Sequence, residues 1–175
     1  MNNPTTLPTT LVRRPPLAAL ALAVLLLAGC DPQRVAKLEE GVSTEVDVRK
    51  QFGDPVTVTV EPDGTRTLEY PRQPEGWTNY VIKIGADGKM SSLRQLLNED
   101  NFARVQPGMD AQQVRNVLGR PAEQKRYALK NEEVWSWRYK PVNESRLFSV
   151  TFGPDGKVLA TAEADDPREQ AQMGR

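Results

Sequence analysis

The sequence predicts an α+β protein that contains two tandem units, and three observations lead to this prediction. Residues 38–96 return at an offset of about 67 positions over residues 105–161, which indicates a duplication. Residues 85–89 and 153–157 match best, with four identities in five positions. Each copy also contains a helix signal that ends in Gly-x-Pro, followed by alternating apolar and polar residues that are typical of strands.

Each copy contains one helix with clear start and end signals. In the second copy, Asp110 can accept hydrogen bonds from the first free amides of a helix while Gln113 reaches back, which is a capping box. Gly119 then ends that helix. Thr44 and Asp47 occupy the corresponding positions of the first copy. We expect a shorter helix before each of these two, over residues 33–40 and 98–104.

The segments after the helices predict antiparallel strands. Val56, Val58 and Val60 alternate with polar residues, which predicts a half-buried strand. Asp-Gly pairs at residues 63–64 and 87–88 are typical of hairpin turns, because Asp bonds its own turn backbone and Gly accepts a positive φ. The predicted strands cover residues 56–60, 66–70, 78–84 and 89–96 in the first copy and residues 134–139, 147–152 and 158–163 in the second.

These signals divide the chain into five segments. We refer to residues 38–97 as the first repeat and to residues 98–164 as the second repeat. Residues 1–29 are predicted to be a signal peptide, residues 30–37 a tether, and residues 165–175 a flexible polar tail. A domain of about 60 residues buries only a marginal core, so we expect the two repeats to pack together.

The N-terminal segment has the pattern of a bacterial lipoprotein signal. A basic pair and an apolar run at residues 17–28 lead to Leu27-Ala28-Gly29-Cys30, a lipobox that places the chain's only cysteine at the cut. A helix of that length reaches about 18 Å, which is shorter than the roughly 30 Å hydrocarbon core of a bilayer. We therefore predict that Cys30 is acylated and anchors the protein to a membrane without a membrane span.

Two features of the mature chain bear on its location and its partners. Asp31 directly follows the lipidated cysteine, and in enteric lipoproteins an aspartate there resembles the signal for retention in the inner membrane. The sequence thus predicts an envelope protein that faces the periplasm, with both membranes as candidates. Removal of the leader also removes Arg13 and Arg14, so the mature chain has two more acids than bases. A charge this small gives no strong field for nucleic acid.

The composition argues against an enzyme, a metal site or a cofactor site. The chain has no histidine and one cysteine, so it cannot form a Ser-His-Asp triad, a Cys-His pair or the usual transition-metal ligand sets. Two carboxylates could in principle serve glycoside hydrolysis. Acids that are neighbours in sequence more often belong to a solvated surface, which favours a protein without catalytic residues. The adjacent pairs are Glu39-Glu40, Glu132-Glu133 and Asp165-Asp166.

The helix signals also carry a family resemblance. Residues 41–55 and, more closely, residues 105–121 resemble the helical signature of the BamE family, also called SmpA/OmlA, and residues 70–76 resemble the loop after its second strand. The resemblance covers nearly all of the mature chain, counted as two tandem copies. It implies BamE-like units of two helices and a three-stranded antiparallel sheet, of the β-lactamase-inhibitor-protein type. The implied role is that of a lipoprotein accessory to outer-membrane β-barrel assembly.

The resemblance also implies an interaction site. In that family the loop region contacts a partner lipoprotein and phosphatidylglycerol, which assigns partner or lipid contacts to Tyr70 and Arg72. Trp77 lies beside the Pro-rich loop with polar neighbours, so we expect it to be exposed. Tyrosine and tryptophan are favoured anchors of protein interfaces. The expected partners are the membrane, a protein of the β-barrel assembly machinery and a phospholipid.

An aromatic stripe in the second copy leaves another binding hypothesis open. Trp135, Trp137 and Tyr139 alternate along one strand and therefore point to one face. A small domain needs such large apolar side chains inside, so core is the default interpretation. If the stripe were exposed, it could instead hold a glycan or peptidoglycan. An inhibitor-type binding protein is a third hypothesis, based on fold analogy alone.

Overall fold

The structure is a computed structural model that describes residues 31–169. The predicted signal peptide and the lipidation site Cys30 therefore lie outside the described residues. The chain divides into two units, of which one ends at Ala36 and the other runs from Lys37 to Arg175. The described part of the first unit contains helix α1 (Asp31–Val35). This helix lies slightly earlier in the chain than the predicted segment at residues 33–40.

The larger unit contains two four-stranded antiparallel sheets with helices, so the predicted α+β class with tandem units is confirmed. Both sheets have their strands in sequence order. The first repeat contains α2 (Glu45–Phe52), β1 (Thr57–Val60), β2 (Arg66–Pro71), β3 (Asn79–Ile84) and β4 (Met90–Gln95). The second repeat contains α3 (Glu99–Ala103), α4 (Ala111–Leu118), β5 (Glu123–Tyr127), β6 (Glu132–Tyr139), β7 (Arg146–Phe152) and β8 (Val158–Asp165).

Each sheet has one strand more than the three that the family resemblance implies. Strand β5 was not predicted, because its sequence Glu-Gln-Lys-Arg-Tyr has no alternation of apolar and polar residues. It pairs with β6 from Glu123 opposite Ser136 to Tyr127 opposite Glu132. Hydrogen bonds to an apolar neighbouring strand are enough to hold such a polar edge strand in the sheet.

Both predicted capping boxes are present. The amide of Gln113 donates to Asp110 Oδ1 at 2.8 Å, and Gln113 Oε1 accepts from the amide of Asp110 at 2.8 Å. The first of these bonds lowers the pKa of the Asp110 carboxyl. Thr44 and Asp47 form the same reciprocal pair at the start of α2. The side chain of each N-cap thus satisfies an amide that the helix itself leaves free.

Details of backbone geometry recur between the repeats. The amide of Val56 donates to Glu69 O at 2.9 Å, and the amide of Ala122 donates to Ser136 O at 2.8 Å, at the same point before β1 and β5. Isolated antiparallel bridges tie each N-cap to the lysine after the last Asp-Gly turn. These bridges join Thr44 to Lys89 and Asp110 to Lys157. The two repeats are therefore structural repeats as well as sequence repeats.

Each repeat has its own apolar core between helix and sheet. In the first repeat the ring of Phe52 lies 5.2 Å from the rings of both Tyr70 and Tyr80. The core of the second repeat includes the whole aromatic stripe Trp135, Trp137 and Tyr139, and Trp137 is 0% exposed. The interpretation of the stripe as core is confirmed. The glycan hypothesis therefore lacks the exposed aromatic face that it required.

The predicted burial of the first strand is wrong. Val56 precedes the strand, and both it and every residue of β1 are exposed. The short helix α2 contacts the inner strands through Phe52, which packs on Tyr70 and Tyr80 rather than on β1. Within residues 31–169, the sheet edge that carries β1 is therefore not covered by another element. Alternation in sequence reports that one face of a strand is apolar, but not that another element covers it.

The first residues of the predicted flexible tail have defined contacts. Asp165 ends β8, and the amide of Asp166 donates to Ser145 O at 3.0 Å. Glu169 Oε2 accepts from the amide of Ser145 at 3.0 Å. These contacts join residues more than 20 positions apart, so local composition could not indicate them.

Candidate interaction site at the junction of the repeats

Tyr70 lies in the core of the first repeat rather than at the surface. Its side chain is 2% exposed, and its hydroxyl donates to Gly53 O at 3.2 Å. Burial raises the pKa of this hydroxyl. In the second repeat Trp137 has the same function, because its Nε1 donates to Gly119 O at 3.2 Å. Tyr70 can therefore act on a partner only indirectly, by holding the start of the loop that follows it.

Arg72 and Trp77 lie in that loop, which packs against the second repeat. The guanidinium carbon of Arg72 lies 5.7 Å from the centre of the Phe52 ring. Trp77 is 41% exposed, as expected, but its Nε1 donates to Ser145 Oγ at 2.8 Å. Lys140 Nζ lies 5.1 Å from the centre of the Trp77 ring. The indole thus joins the two repeats while part of its surface faces solvent.

The side chain of Gln73 joins this loop to strand β6 through a pair of hydrogen bonds to the backbone, like the pairs between neighbouring strands. Its Nε2 donates to Arg138 O at 2.7 Å, and its Oε1 accepts from the amide of Arg138 at 3.3 Å. The side-chain amide is buried and uses both its donor and its acceptor. Sequence analysis did not single out Gln73, since no local pattern marks a glutamine whose partner lies 65 positions away.

Asn79 connects β3 of the first repeat to the end of helix α4 in the second. Its Nδ2 donates to Leu118 O at 2.8 Å and to Arg120 O at 2.9 Å. These bonds satisfy carbonyl groups that the helix end leaves free. Gly119 lies between them, and a Cβ at that position would approach Asn79 Nδ2 to 3.1 Å. Glycine therefore suits this position both for its φ of +72° and for the close approach of the first repeat.

A largely buried ion pair lies beside Trp77. Arg138 Nε donates to Asp166 Oδ2 at 3.1 Å, and Ser145 Oγ donates to the same oxygen at 2.9 Å. Arg168 extends this network to the first repeat, with 3.2 Å between its Nη1 and Glu75 Oε2. Breaking a buried pair by removing one partner leaves an uncompensated charge, so the loss of Asp166 alone should be costly at this site.

These groups line a cavity of about 270 Å³, which we call the junction cavity. The side chains around it carry both signs of charge, and Trp77 forms its apolar wall. The hydroxyl of Ser145 is committed to Asp166 and Trp77, so the arrangement offers hydrogen bonds and an aromatic surface rather than a free nucleophile. The lining residues are Glu75, Trp77, Lys140, Ser145, Asp166, Arg168 and Glu169.

Residues 31–169 contain neither a cluster suited to a metal ion nor a helix that could span a membrane. No group of three or more His, Cys, Asp or Glu side chains in this range is arranged to hold a metal ion. In the same range, no helix has the length and hydropathy needed to cross a membrane.

Comparison with known proteins gives one family match and two structural matches. Residues 95–161 match the family model described as the outer membrane protein assembly factor BamE domain. A comparison with curated protein sequences found no match. The DUF4309 family protein YjgB of Bacillus subtilis shares 16% identity and a TM-score of 0.29, over 74% of this chain and 82% of that one. A Streptococcus mutans protein described as a β-lactamase inhibitor shares 13% identity and a TM-score of 0.30, over 70% and 83%. The second repeat is therefore similar in sequence to the BamE domain, and the predicted resemblance is confirmed for this part of the chain.

Proposed function

We propose that the protein is a lipid-anchored interaction module of the cell envelope, without catalytic activity, that assists the assembly of outer-membrane β-barrel proteins. The observation that supports this proposal is the match of residues 95–161 to the BamE domain. The matched range contains helices α3 and α4 and strands β5 to β7 in full. The match thus coincides with a folded unit rather than with a short motif.

The first repeat is, in this proposal, a diverged second copy of the same domain. The repeated capping boxes, N-cap bridges and aromatic bonds to a glycine carbonyl support this proposal. The first repeat also supplies the loop that closes one side of the junction cavity. Two copies can therefore build a binding surface that one copy lacks.

The proposed partner site is the exposed rim of the junction cavity. Trp77 offers an accessible aromatic surface beside the ammonium group of Lys140, and Arg72 belongs to the same loop. Aromatic and basic side chains in one patch suit a protein partner and equally a phospholipid headgroup. Tyr70 is buried in the core of the first repeat and holds the start of this loop.

Affinity purification of the lipidated protein from membranes, in mild detergent, tests this function. We expect β-barrel assembly components to copurify, and we expect Trp77→Ala combined with Arg72→Ala to reduce their yield. Leu129→Ala is the matched control, because Leu129 lies fully exposed in the turn between β5 and β6. Recovery of inner-membrane proteins without assembly components would contradict the proposed role. An equal yield from the double variant and the control would contradict the proposed site.

The proposed anchor has a separate test. Acylation of Cys30 should leave the protein in the membrane fraction, in the outer or the inner membrane according to the effect of Asp31. Cys30→Ser should release it into the soluble fraction if the acyl chains are the anchor. Retention of the Cys30→Ser protein in membranes would contradict a lipid anchor at this position.

A further inference from the structure

Strand β1 forms an open edge of the first sheet. It pairs with β2 on one side, and none of the described strands pairs with it on the other. The amide of Glu61 donates to Thr65 O at 2.8 Å, and hydrogen-bonded pairs alternate along an antiparallel ladder. The N–H and C=O groups of Val58 and Val60 therefore point away from β2, towards solvent.

The side chains of β1 on the face shared with Leu68 are apolar and exposed. Val58 lies opposite the buried Leu68 and so shares its face of the sheet, yet it is 44% exposed. Val60 is 65% exposed. Natural edge strands are commonly protected by charges, proline or a covering element. The edge of β1 has free backbone groups and β-branched apolar side chains, which is the combination that pairs readily with another strand.

The second repeat shows the protected form of the same edge. Strand β5 occupies the position of β1, with Gln124 and Arg126 at the places of Val58 and Val60. Lys125 lies between them, and all residues of β5 are exposed. Because both edges belong to the same scaffold, the valines of β1 are not a requirement of the fold.

The charges around β1 indicate the chemistry of an incoming strand. Exposed acids stand at both ends, with Asp54, which is paired with Arg49, before the strand and Glu61 and Asp63 after it. Two arginines near this edge are already paired with acids. Arg49 bonds both Glu45 and Asp54, and Arg66 bonds Glu45. A strand with basic residues at its ends would match this distribution.

The same charges disfavour a second copy of the chain as the occupant. Two copies of β1 could pair in antiparallel fashion with Val58 opposite Val58, or with Val58 opposite Val60. Either register would bring Asp54, which precedes β1 in one copy, towards Asp63, which lies in the turn after β1 in the other. Like charges repel, and this approach would occur twice in a symmetric dimer.

We propose that β1 binds an extended segment of a partner protein, which adds to the first sheet as a fifth strand. The partner segment has apolar residues at alternate positions, against Val58 and Val60, and lysine or arginine at its ends. Main-chain hydrogen bonds provide affinity in this mode, and alternate side chains provide specificity. This surface is separate from the junction cavity, so the inference does not rest on the proposed function.

The test uses the mature lipidated protein in detergent and a fluorescent peptide, Lys-Lys-Thr-Val-Thr-Val-Thr-Lys-Lys. Fluorescence anisotropy should show saturable binding, and the amides of Val58 and Val60 should exchange more slowly in its presence. The variant Val58→Gln with Val60→Arg, which copies the second repeat, should weaken binding by about tenfold through lost side-chain pairs and added repulsion. Leu129→Ala should leave binding unchanged.

Three further arms make the test decisive. Val58→Pro removes an N–H that β2 does not use, so it should abolish binding while thermal unfolding confirms the fold. A peptide with glutamates in place of the lysines should bind more weakly. The proposal is overturned if the peptide fails to bind, if the Gln/Arg variant binds it equally well, or if the glutamate peptide binds as tightly. It is also overturned if the protein dimerises through β1, which sedimentation of the wild type and of the Gln/Arg variant would reveal.

Discussion

The two repeats have the same arrangement of helix and sheet, but the side chains of their outer strands, β1 and β5, differ in polarity. Both repeats have the same capping box, the same bridge and the same aromatic bond to a glycine carbonyl. At the edge, Val58 and Val60 of the first repeat correspond to Gln124 and Arg126 of the second. The shared features hold helix and sheet together, whereas the edge is free to change. A duplicated domain can therefore keep a polar edge in one copy and present an apolar edge in the other.

A second difference concerns what each repeat gives to the junction. The first repeat contributes side chains that reach across, among them Gln73 and Asn79. The other side contributes backbone groups of Arg138, Leu118 and Arg120, together with the side chains of Lys140, Ser145 and Arg168. The two repeats therefore use different residues at their contact, although their folds match.

The largest expected effect lies in the core of the second repeat. Trp137→Ala should reduce the free energy of unfolding by about 4 kcal/mol, because it removes a fully buried ring and leaves a cavity. Urea unfolding followed by circular dichroism measures this loss. Trp77→Ala, at the partly exposed indole, should cost far less. Similar losses of unfolding free energy in the two variants would contradict the assignment of Trp137 to the core and of Trp77 to the rim of the junction cavity.

The buried ion pair should have the next largest effect. Asp166→Ala leaves the guanidinium of Arg138 without its carboxylate, and we expect a loss of about 3 kcal/mol in unfolding free energy. The matched control is Asp165→Ala, which removes an exposed neighbouring acid. Equal stability of the two variants in urea would show that the pair does not hold the junction.

Removing the side-chain amide of Asn79 should weaken the contact between the repeats at the end of α4, which lies away from the ion pair of Arg138 and Asp166. Asn79→Ala leaves the carbonyl groups of Leu118 and Arg120 without their donor, at a cost of about 2 kcal/mol. Hydrogen exchange should then become faster at the end of α4. The control Asn116→Ala changes an exposed asparagine of the same helix. Unchanged exchange in the Asn79 variant would contradict the coupling of the repeats through this side chain.

A smaller effect concerns the hydroxyl of Tyr139 at alkaline pH. Burial, together with the hydrogen bond to Glu163 at 2.7 Å, raises the pKa of Tyr139 to about 12. The hydroxyl therefore stabilises the fold below the ordinary tyrosine pKa of about 10, and this stabilisation is lost as the pH rises through 12. Tyr139→Phe should cost about 1 kcal/mol at neutral pH through the lost bond. The difference between wild type and variant should shrink from pH 10 to 12, and a constant difference would contradict the raised pKa.

The smallest expected effect on stability is at the open edge. Val58→Gln with Val60→Arg should change the unfolding free energy by less than about 0.5 kcal/mol, because both side chains are exposed. The same variant should lose most of its affinity for a partner strand. A large loss of stability would mean that the valines serve the core of the first repeat and not an interaction.

The sequence was informative where the cause of the structure is local. Capping boxes act over three residues, so Thr44 with Asp47 and Asp110 with Gln113 could be identified directly. Strand β5 was not predicted because its pairing with β6, rather than its own sequence pattern, holds it in the sheet. For the same reason the sequence could show that β1 is a strand but not that its valines are uncovered.

The candidate site was less predictable than the fold. Sequence analysis pointed to the loop after β2, and it expected Trp77 to be exposed, which the structure confirms. It gave no indication that Tyr70 lies in the core or that Gln73 and Asn79 reach the second repeat. Such contacts depend on which distant segments pack together in the fold. The sequence around a single polar residue does not indicate its distant partner.

We propose that the apolar edge of β1 binds a partner strand, whereas the charged edge of β5 does not. Photo-crosslinking in intact membranes tests this claim most directly, with a crosslinking side chain at Thr59 or at the equivalent Lys125. Both positions leave the outward backbone groups of their strands intact. The account predicts adducts at Thr59 that map to one extended segment of a partner protein, with few at Lys125. Equal crosslinking at the two positions, or adducts at Lys125 alone, would contradict it.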